Sequence, residues 1–423
     1  MLSELEIRDI KKKCLNHAEL VDYAVLLDNN FQKNAFSLQS TEFFYASGFE
    51  SKLETETGTA FVQLESFIQK NKGKYILLFL SYDLKNEIEH LHSAHLDPIG
   101  FPALTAIVPS DYICIHTSGE LTYSNKDFLQ SIDDTVIQNY PENSCIEVEA
   151  KVSKEDYIHT VQQIRNHIID GDVYELNYCT EFFAKNADLN PYKTYSDLNE
   201  LSPTPFSVFA HLNGKFMMGA SPERFLKKQG NTLYSQPIKG TSKRSNDEKQ
   251  DALNKAFLLN SEKEKAENLM IVDLVRNDLA KSAKTGSVKV EELYGIYSFK
   301  QVHQMISTVS ANTLDGLELS TMIKNAFPMG SMTGAPKVKA MQLIDQYEQT
   351  KRGMYSGAVG YISPEGDFDF NVVIRSLQYN AEKKYLNFEV GSAITFDSNP
   401  EEEYKECLLK AEAMVKVLAG IQK

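Results

Sequence analysis

The sequence predicts an α+β fold of mainly antiparallel sheets with helices packed on the outside, and three observations carry that prediction. Short strand-like runs recur at 23–27, 75–80, 106–108 and 112–115, each too brief and too β-rich for a helix. Hairpin signals join neighbouring runs: Ser118-Gly119-Glu120 follows one, and Asn213-Gly214 separates 206–210 from 216–218. Between these lie segments with helical spacing and their own end signals, so strands and helices mix along the chain.

In chain order, the first 145 residues alternate strands with short helices, and Asn139-Tyr-Pro-Glu-Asn-Ser144 is rich in turn formers. This divides an N-terminal region, 1–145, that completes a compound fold from a main domain, 146–420. Tyr157, Ile158, Val161, Ile164 and Ile168 predict a helix over 154–169, closed by Asp170-Gly171. Ser261-Glu-Lys-Glu264 has the form of a capping box and opens a helix through Asp278. The run 302–309 reads as a strand with His303, Met305 and Ser307 on one face. Pro400 suits the first position of a final helix, with Gly420 near its end.

Composition narrows the function classes. The 423 residues are 42% hydrophobic and 24% charged, which is globular composition. A net charge of −14 argues against a nucleic-acid backbone as partner, and aromatic residues do not interleave with basic ones. Apolar runs fall far short of the roughly 20 residues of a membrane span, so no membrane partner is expected. The opening Met1-Leu-Ser-Glu-Leu-Glu carries charge too early for a signal peptide. Its 5 cysteines include no C-x-x-C pair, which fits reduced thiols in the cytoplasm. Glu89-His90-Leu-His92-Ser-Ala-His95 matches no zinc spacing and reads as surface histidines.

Five stretches combine glycine with charge. Gly330-Ser-Met-Thr-Gly-Ala-Pro-Lys337 precedes a helix at 338–347 and forms either an anion-binding turn or a tight capped loop; Pro336 excludes a P-loop. In Gln236-Pro-Ile-Lys-Gly-Thr241, Lys239 reads as a phosphate-type contact, a nucleophile or a solvated lysine. A nucleophilic lysine must be neutral, and the ordinary pKa of about 10.4 works against that at pH 7. Glu403, Glu406 and Lys410 form one stripe of the last helix, able to offer oxygens to Mg²⁺ or merely to favour the helix dipole. Glu267 supplies a second carboxylate in apolar company, where an unpaired glutamate is costly. Arg375 closes an apolar run as a carboxylate clamp or a structural ion pair, and Gly391-Ser392-Ala393 permits close backbone approach or a bulge.

Together these stretches resemble the chorismate-utilising enzymes. The matching segments are Ser221-Pro-Glu-Arg-Phe225, Pro237-Ile-Lys-Gly-Thr241, 266–278, His303-x-x-x-Ser307, Gly330 through Lys337, and 397–406, all in the family's order. Lysine in Pro-Ile-Lys-Gly-Thr resembles the branch that makes aminodeoxychorismate, where the anthranilate branch usually has alanine. Isochorismate-forming relatives place a water-activating lysine where this chain has Glu175, and both aminating branches commonly have glutamine there. Ala393 also departs from a common glycine, and Ser37-Leu-Gln-Ser40 and Gln63-Leu-Glu-Ser66 match the family's tryptophan-inhibition segment only in part.

The resemblance implies a mechanism. Mg²⁺ held by Glu267 and Glu406, with Glu403 beside them, would bind the ring carboxylate of chorismate. Glu223 would protonate the departing 4-hydroxyl, Lys239 would attack C2, and ammonia would resolve the adduct at C4. Tyr355, Arg375, Gly391 and Ser392 would hold the side-chain carboxylate; Thr333, Gly334 and Lys410 join the substrate-binding set, and His303 would orient the ring. Lys337 and Lys410 would offer local positive charge. The implied activity is conversion of chorismate and ammonia to 4-amino-4-deoxychorismate for p-aminobenzoate and folate, with ammonia from a glutamine amidotransferase partner. Anthranilate formation, isochorismate formation and a non-catalytic chorismate-binding subunit are the alternatives, in that order.

Overall fold

The computed structural model describes residues 1–32, 38, 40–89, 91–141 and 143–420. Ser37 and Gln39 of one partial inhibitory match, His90 of the histidine cluster and Glu142 of the turn-rich segment lie outside them. Among the described residues, strands form two sheets, one of 11 and one of 10, and every pairing is antiparallel. The larger sheet runs from the edge strand Gly334–Ala335 through Glu175–Ala184, Tyr385–Ile394, Ser376–Asn380, Lys215–Ser221 and Phe206–Leu212. It continues through Tyr23–Asp28 and Thr41–Ser47. The smaller sheet runs from Ile238–Lys243 through Val302–Asn312, Thr232–Gln236, Arg224–Gln229, Phe368–Asn371 and Ala358–Ile362 to Ile76–Leu80. Strands from before residue 145 thus pair directly with later ones in both sheets: Tyr23–Asp28 with Phe206–Leu212, and Ile76–Leu80 with Ala358–Ile362.

The sheets pack face to face through Val25, Phe44, Leu77, Phe79, Ile107, Met217 and Val359. Helices Glu4–Ala18, Lys154–Ile169, Pro191–Leu201 and Pro400–Leu418 cover the outer face of the larger sheet, and Ala60–Lys70, Glu262–Ala280 and Leu319–Ala326 cover the smaller. Four layers result, as burial of one face per element requires. No helix among the described residues is long and apolar enough to cross a membrane.

Local signals explain the ends of these elements. Asn213 and Gly214 both take positive φ (52° and 76°), the tight turn that matches strand twist. Ser261 accepts the Glu264 N–H and starts its helix, and Asn399 caps the last helix with Pro400 at its first turn. One expectation needs correction: Arg375 does not close a strand. The strand Phe368–Asn371 ends four residues earlier, and Arg375 sits in a bend with φ 51° before Ser376–Asn380. The chain is there leaving the smaller sheet for the larger, so it cannot keep strand geometry.

A second feature lies on the face shared by Glu175–Ala184 and Tyr385–Ile394. Glu181 and Glu389 are direct cross-strand partners, each 1% exposed. Glu181 accepts Tyr385 Oη at 3.0 Å and Asn387 Nδ2 at 2.8 Å. Burial, and then the Glu181 carboxylate, push Glu389 well above its ordinary value. Because the folded pKa is raised, the stability Glu389 contributes is present below its ordinary value of 4.5 and is lost as pH rises toward the folded one. Glu389→Gln is therefore expected to match the parent urea midpoint near about pH 5 and exceed it near about pH 8; parallel curves would refute the assignment.

Candidate active site

The site is assembled at the edges of the two sheets. Lys239 lies in Ile238–Lys243, the edge strand of the smaller sheet, and the register slips between Ile238 and Thr241. Gly240 takes φ 94° in that bulge, and a Cβ there would meet Glu264 and Leu258. Bulges re-aim side chains, and this one turns Lys239 inward: its side chain is 12% exposed and Nζ donates to Glu175 Oε1 at 2.6 Å. Glu175 begins the strand Glu175–Ala184 of the larger sheet and is fully buried.

Helix Glu262–Ala280 lies over this edge, and Asn268 on it bonds Ser307 Oγ at 2.6 Å. Burial would lower Lys239, but Glu175, Glu267 and Glu406 outweigh it and hold the ammonium charged. The solvated-lysine reading is thereby overturned, and the charge of the resting amine runs opposite to what a free nucleophile needs. Burial lifts Glu267 to about 7, with Glu175 and Glu264 raising it further and Lys239 opposing. Glu406, half of its side chain open to solvent, loses some hydration to its neighbours, but Lys410, bonded at 2.8 Å, and Lys239 outweigh that loss, so its pKa falls.

Glu223 comes from a different place. Between Lys215–Ser221 and Arg224–Gln229 the chain crosses from the larger sheet to the smaller, beside the crossing that holds Arg375. Ser221 Oγ donates to Val372 O at 2.6 Å, Val372 N to Glu223 O at 3.0 Å, and Ala220 N to Arg375 O at 3.1 Å, tying the two crossings together. Arg224, wholly buried, grips Asp369 through Nε and Nη2 at 2.8 and 2.9 Å and anchors the turn. Burial raises Glu223 to about 7 against Ser331, which donates at 2.6 Å, then Lys239 and Arg375. Burial also lowers Arg375, opposed by Glu223. Arg375 borders a narrow cleft lined by Ser202, Thr204, Pro222, Phe299 and Gln304.

The loop before Lys337–Tyr347 closes the third side. Gly334-Ala335 pairs with Leu176 and Glu175, and Thr333 is buried with its carbonyl accepting Asn177 N at 2.8 Å. A Cβ on Gly334, where φ is 151°, would lie 2.1 Å from Glu175 O, so glycine is required for that contact. Lys337 offers no local positive charge to a ligand: half-buried, it is held between Asp278 Oδ2 at 2.5 Å and Pro328 O at 2.8 Å. Lys410 is likewise engaged, by Glu406 and by Gly391 O at 2.8 Å.

Other predicted residues have structural partners of their own. The space above Gly391 is filled by Cys179 Sγ and Tyr178 O of the neighbouring strand. Ser392 Oγ is 3.0 Å from Tyr157 Oη, and Tyr355 Oη accepts from Cys179 Sγ at 3.6 Å. His303 uses Nδ1 with Ser298 Oγ at 2.7 Å and Nε2 with Asp251 at 3.1 Å. Glu403 is buried one turn before Glu406 on the last helix. The sequence thus brings Lys239, Glu223, Glu267, Glu406, Arg375 and the 333–334 loop together, while His303 is held toward helix Glu248–Asn260.

Residues missed from sequence include Ser331, Glu264 and, above all, Arg352. Arg352 bonds Glu348 twice (2.6 and 2.9 Å), Met332 O at 2.7 Å and Asn177 O at 3.0 Å, joining the loop to the strand. As for a metal, no three His, Cys, Asp or Glu among the described residues converge on one metal position. Mg²⁺ needs only one or two carboxylates besides waters and substrate, and Glu267 and Glu406 are hard oxygen donors acting on the same lysine, so the donor set fits.

Fold and site together define an enzyme of the chorismate-binding class. A model of the family described as chorismate binding enzyme matches residues 24–416, and the chain belongs to that family. Among individual relatives, the rice protein named "Probable aminodeoxychorismate synthase, chloroplastic" is 42% identical over 63% of this chain and 30% of its own length. "Aminodeoxychorismate synthase component 1" of Klebsiella aerogenes is 39% identical over 61% of this chain and 56% of its own. The chain thus spans from under a third to about half of these two proteins. Anthranilate synthase component I from Streptococcus pneumoniae superposes with a TM-score of 0.78, covering 90% of this chain and 93% of that one at 24% identity, a likeness of fold.

Proposed function

We propose that the chain converts chorismate and ammonia to 4-amino-4-deoxychorismate, a step toward p-aminobenzoate and folate. The single observation that carries this reading is Lys239, aimed by its bulge into an acidic cage whose floor, Glu175 and Glu223, is buried. The names of the two sequence relatives support the same product. "Component 1" in one of those names also supports a partner subunit, which we assign as a glutamine amidotransferase supplying ammonia. Cytoplasmic placement is part of this reading, supported by four buried and one exposed thiol, all unpaired.

In this mechanism Glu267 and Glu406, with Glu403 nearby, would hold Mg²⁺, which when bound supplies Lewis-acid pull on a substrate carboxylate. Arg375 and Tyr355 bind the second carboxylate, with Gly391 and Ser392 of strand Tyr385–Ile394 beside them. Glu223, its carboxyl lifted to about 7 by burial, donates a proton to the leaving 4-hydroxyl. Lys239 forms a bond to C2 as that hydroxyl departs, and ammonia at C4 then expels the lysine. His303 orients the helix Glu248–Asn260 through Asp251.

Incubation with chorismate, Mg²⁺ and ammonium is expected to give aminodeoxychorismate without pyruvate; anthranilate with pyruvate would overturn the assignment. A pH prediction follows from Glu223. Its acid form is lost as pH rises through about 7, so at constant free ammonia the rate falls on that side. Glu223→Gln is expected to remove the limb and lower the rate roughly 10²–10⁴-fold. A parent-like profile in that variant would assign the proton to another group.

A further inference from the structure

Glu175 has no part in the steps above, yet it is the group that touches the reacting amine. Its Oε1 accepts Lys239 Nζ at 2.6 Å, the side chain is completely buried, and Oε2 has no hydrogen-bond partner. Charged groups face Lys239 from every side: Glu264, Glu267 and Lys263 on one helix, Glu406 and Lys410 on another, and Glu223 at the crossing. Glu267 and Glu406 act on Nζ through space, whereas Glu175 is its direct ion-pair partner.

We propose that Glu175 is a positioning residue that takes up and stores the Lys239 proton during each turnover. The proposal rests on Lys239 being the nucleophile. At rest the pair is ammonium and carboxylate. One proton passes from Nζ to Glu175, leaving a neutral amine and a carboxylic acid. The amine bonds to C2, both ring double bonds shift by one position toward C4, and the C4–O bond breaks as water with a proton from Glu223. Ammonia then bonds to C4, both double bonds return, and the C2–N bond breaks to release neutral Lys239. Glu175 returns its proton to that amine, and the new C4 ammonium restores the one on Glu223. Chorismate plus ammonia gives aminodeoxychorismate plus water, and both carboxyls end as they began.

This arrangement has a signature that mere structural support lacks. While the pair retains its one shared proton, the reactive form is a fixed fraction of the enzyme at any pH. Without Glu175 the proton must leave to solvent, and the neutral amine grows about tenfold per pH unit below the lysine pKa.

The test is single-turnover formation of the Lys239 adduct, followed by mass spectrometry, with chorismate and Mg²⁺ but no ammonia. Glu175→Gln is expected to form it roughly 10²-fold more slowly at pH 7, with the deficit shrinking about tenfold for each pH unit upward. Taking the ratio to the parent enzyme cancels the Glu223 limb common to both. Glu175→Asp should keep the parent profile. A ratio constant with pH, or a Gln variant within about threefold of the parent, would overturn the proposal. If the Gln variant does not fold, Glu175→Ala with added formate replaces it; formate must restore about tenfold, and no rescue overturns the proposal. No adduct in the parent enzyme would instead remove the nucleophile reading, and this proposal with it.

Discussion

Lys239→Ala is expected to lower aminodeoxychorismate formation from chorismate and ammonia by roughly 10³-fold or more, the scale on which removal of a covalent nucleophile is felt. The side chain is only 12% exposed and is held in a bulge by the close packing of Gly240 against Glu264 and Leu258. Truncation also leaves Glu175 buried without its counter-ion, so two effects add: loss of the attacking atom and an unpaired buried acidic group. Steady-state assays at saturating ammonium, with circular dichroism to establish that the variant is folded, give the measurement. An unchanged rate would eliminate the covalent step and leave Lys239 as an electrostatic contact.

The second large effect concerns stability. Arg352 and Glu348 are 2% and 4% exposed and form a two-point ion pair at 2.6 and 2.9 Å. The same guanidinium donates to Met332 O and Asn177 O, and Glu348 Oε1 accepts Cys179 N at 2.9 Å. Arg352→Met removes the cation and strands a buried carboxylate, which costs about 3–5 kcal/mol. The urea midpoint is expected to fall accordingly, and activity with it, because Met332 and Asn177 flank the loop and strand that carry Thr333 and Glu175. Arg352→Met with Glu348→Leu should recover much of the loss, since replacing both members of a buried pair by apolar groups is often neutral. A single variant as stable as the parent would show that the pair contributes nothing.

Much of the fold was legible because its signals are local. Asn213-Gly214 specifies its turn by backbone preference, Ser261 and Asn399 specify helix starts by side-chain caps, and Lys154–Ile169 announces itself by spacing. The positions of Glu223, Lys239 and Glu267 were legible as motifs. Their charge states were not, because these depend on what faces them across two sheets. Lys239 is charged at rest because Glu175, 64 positions earlier, lies against it, a pairing that no local pattern encodes. Lys337 looked like free positive charge beside a glycine-rich turn; only the tertiary contact with Asp278, 59 positions away, neutralises it. Arg375 looked like a strand end because Val372 to Ile374 are apolar enough to continue one, whereas the burial of Val372 and Val373 comes from threading between layers.

The two neighbouring crossings of the chain have a mechanical consequence. Glu223 and Arg375 ride on a doubled hinge, so sliding of one layer over the other carries acid and guanidinium along as a unit. Glu175 and Lys239 are anchored one to each layer, and the same motion pulls them apart. Shear between the layers would therefore be felt first as a stretched amine–carboxylate contact, making that contact the gauge of how well the two halves of the sandwich are seated.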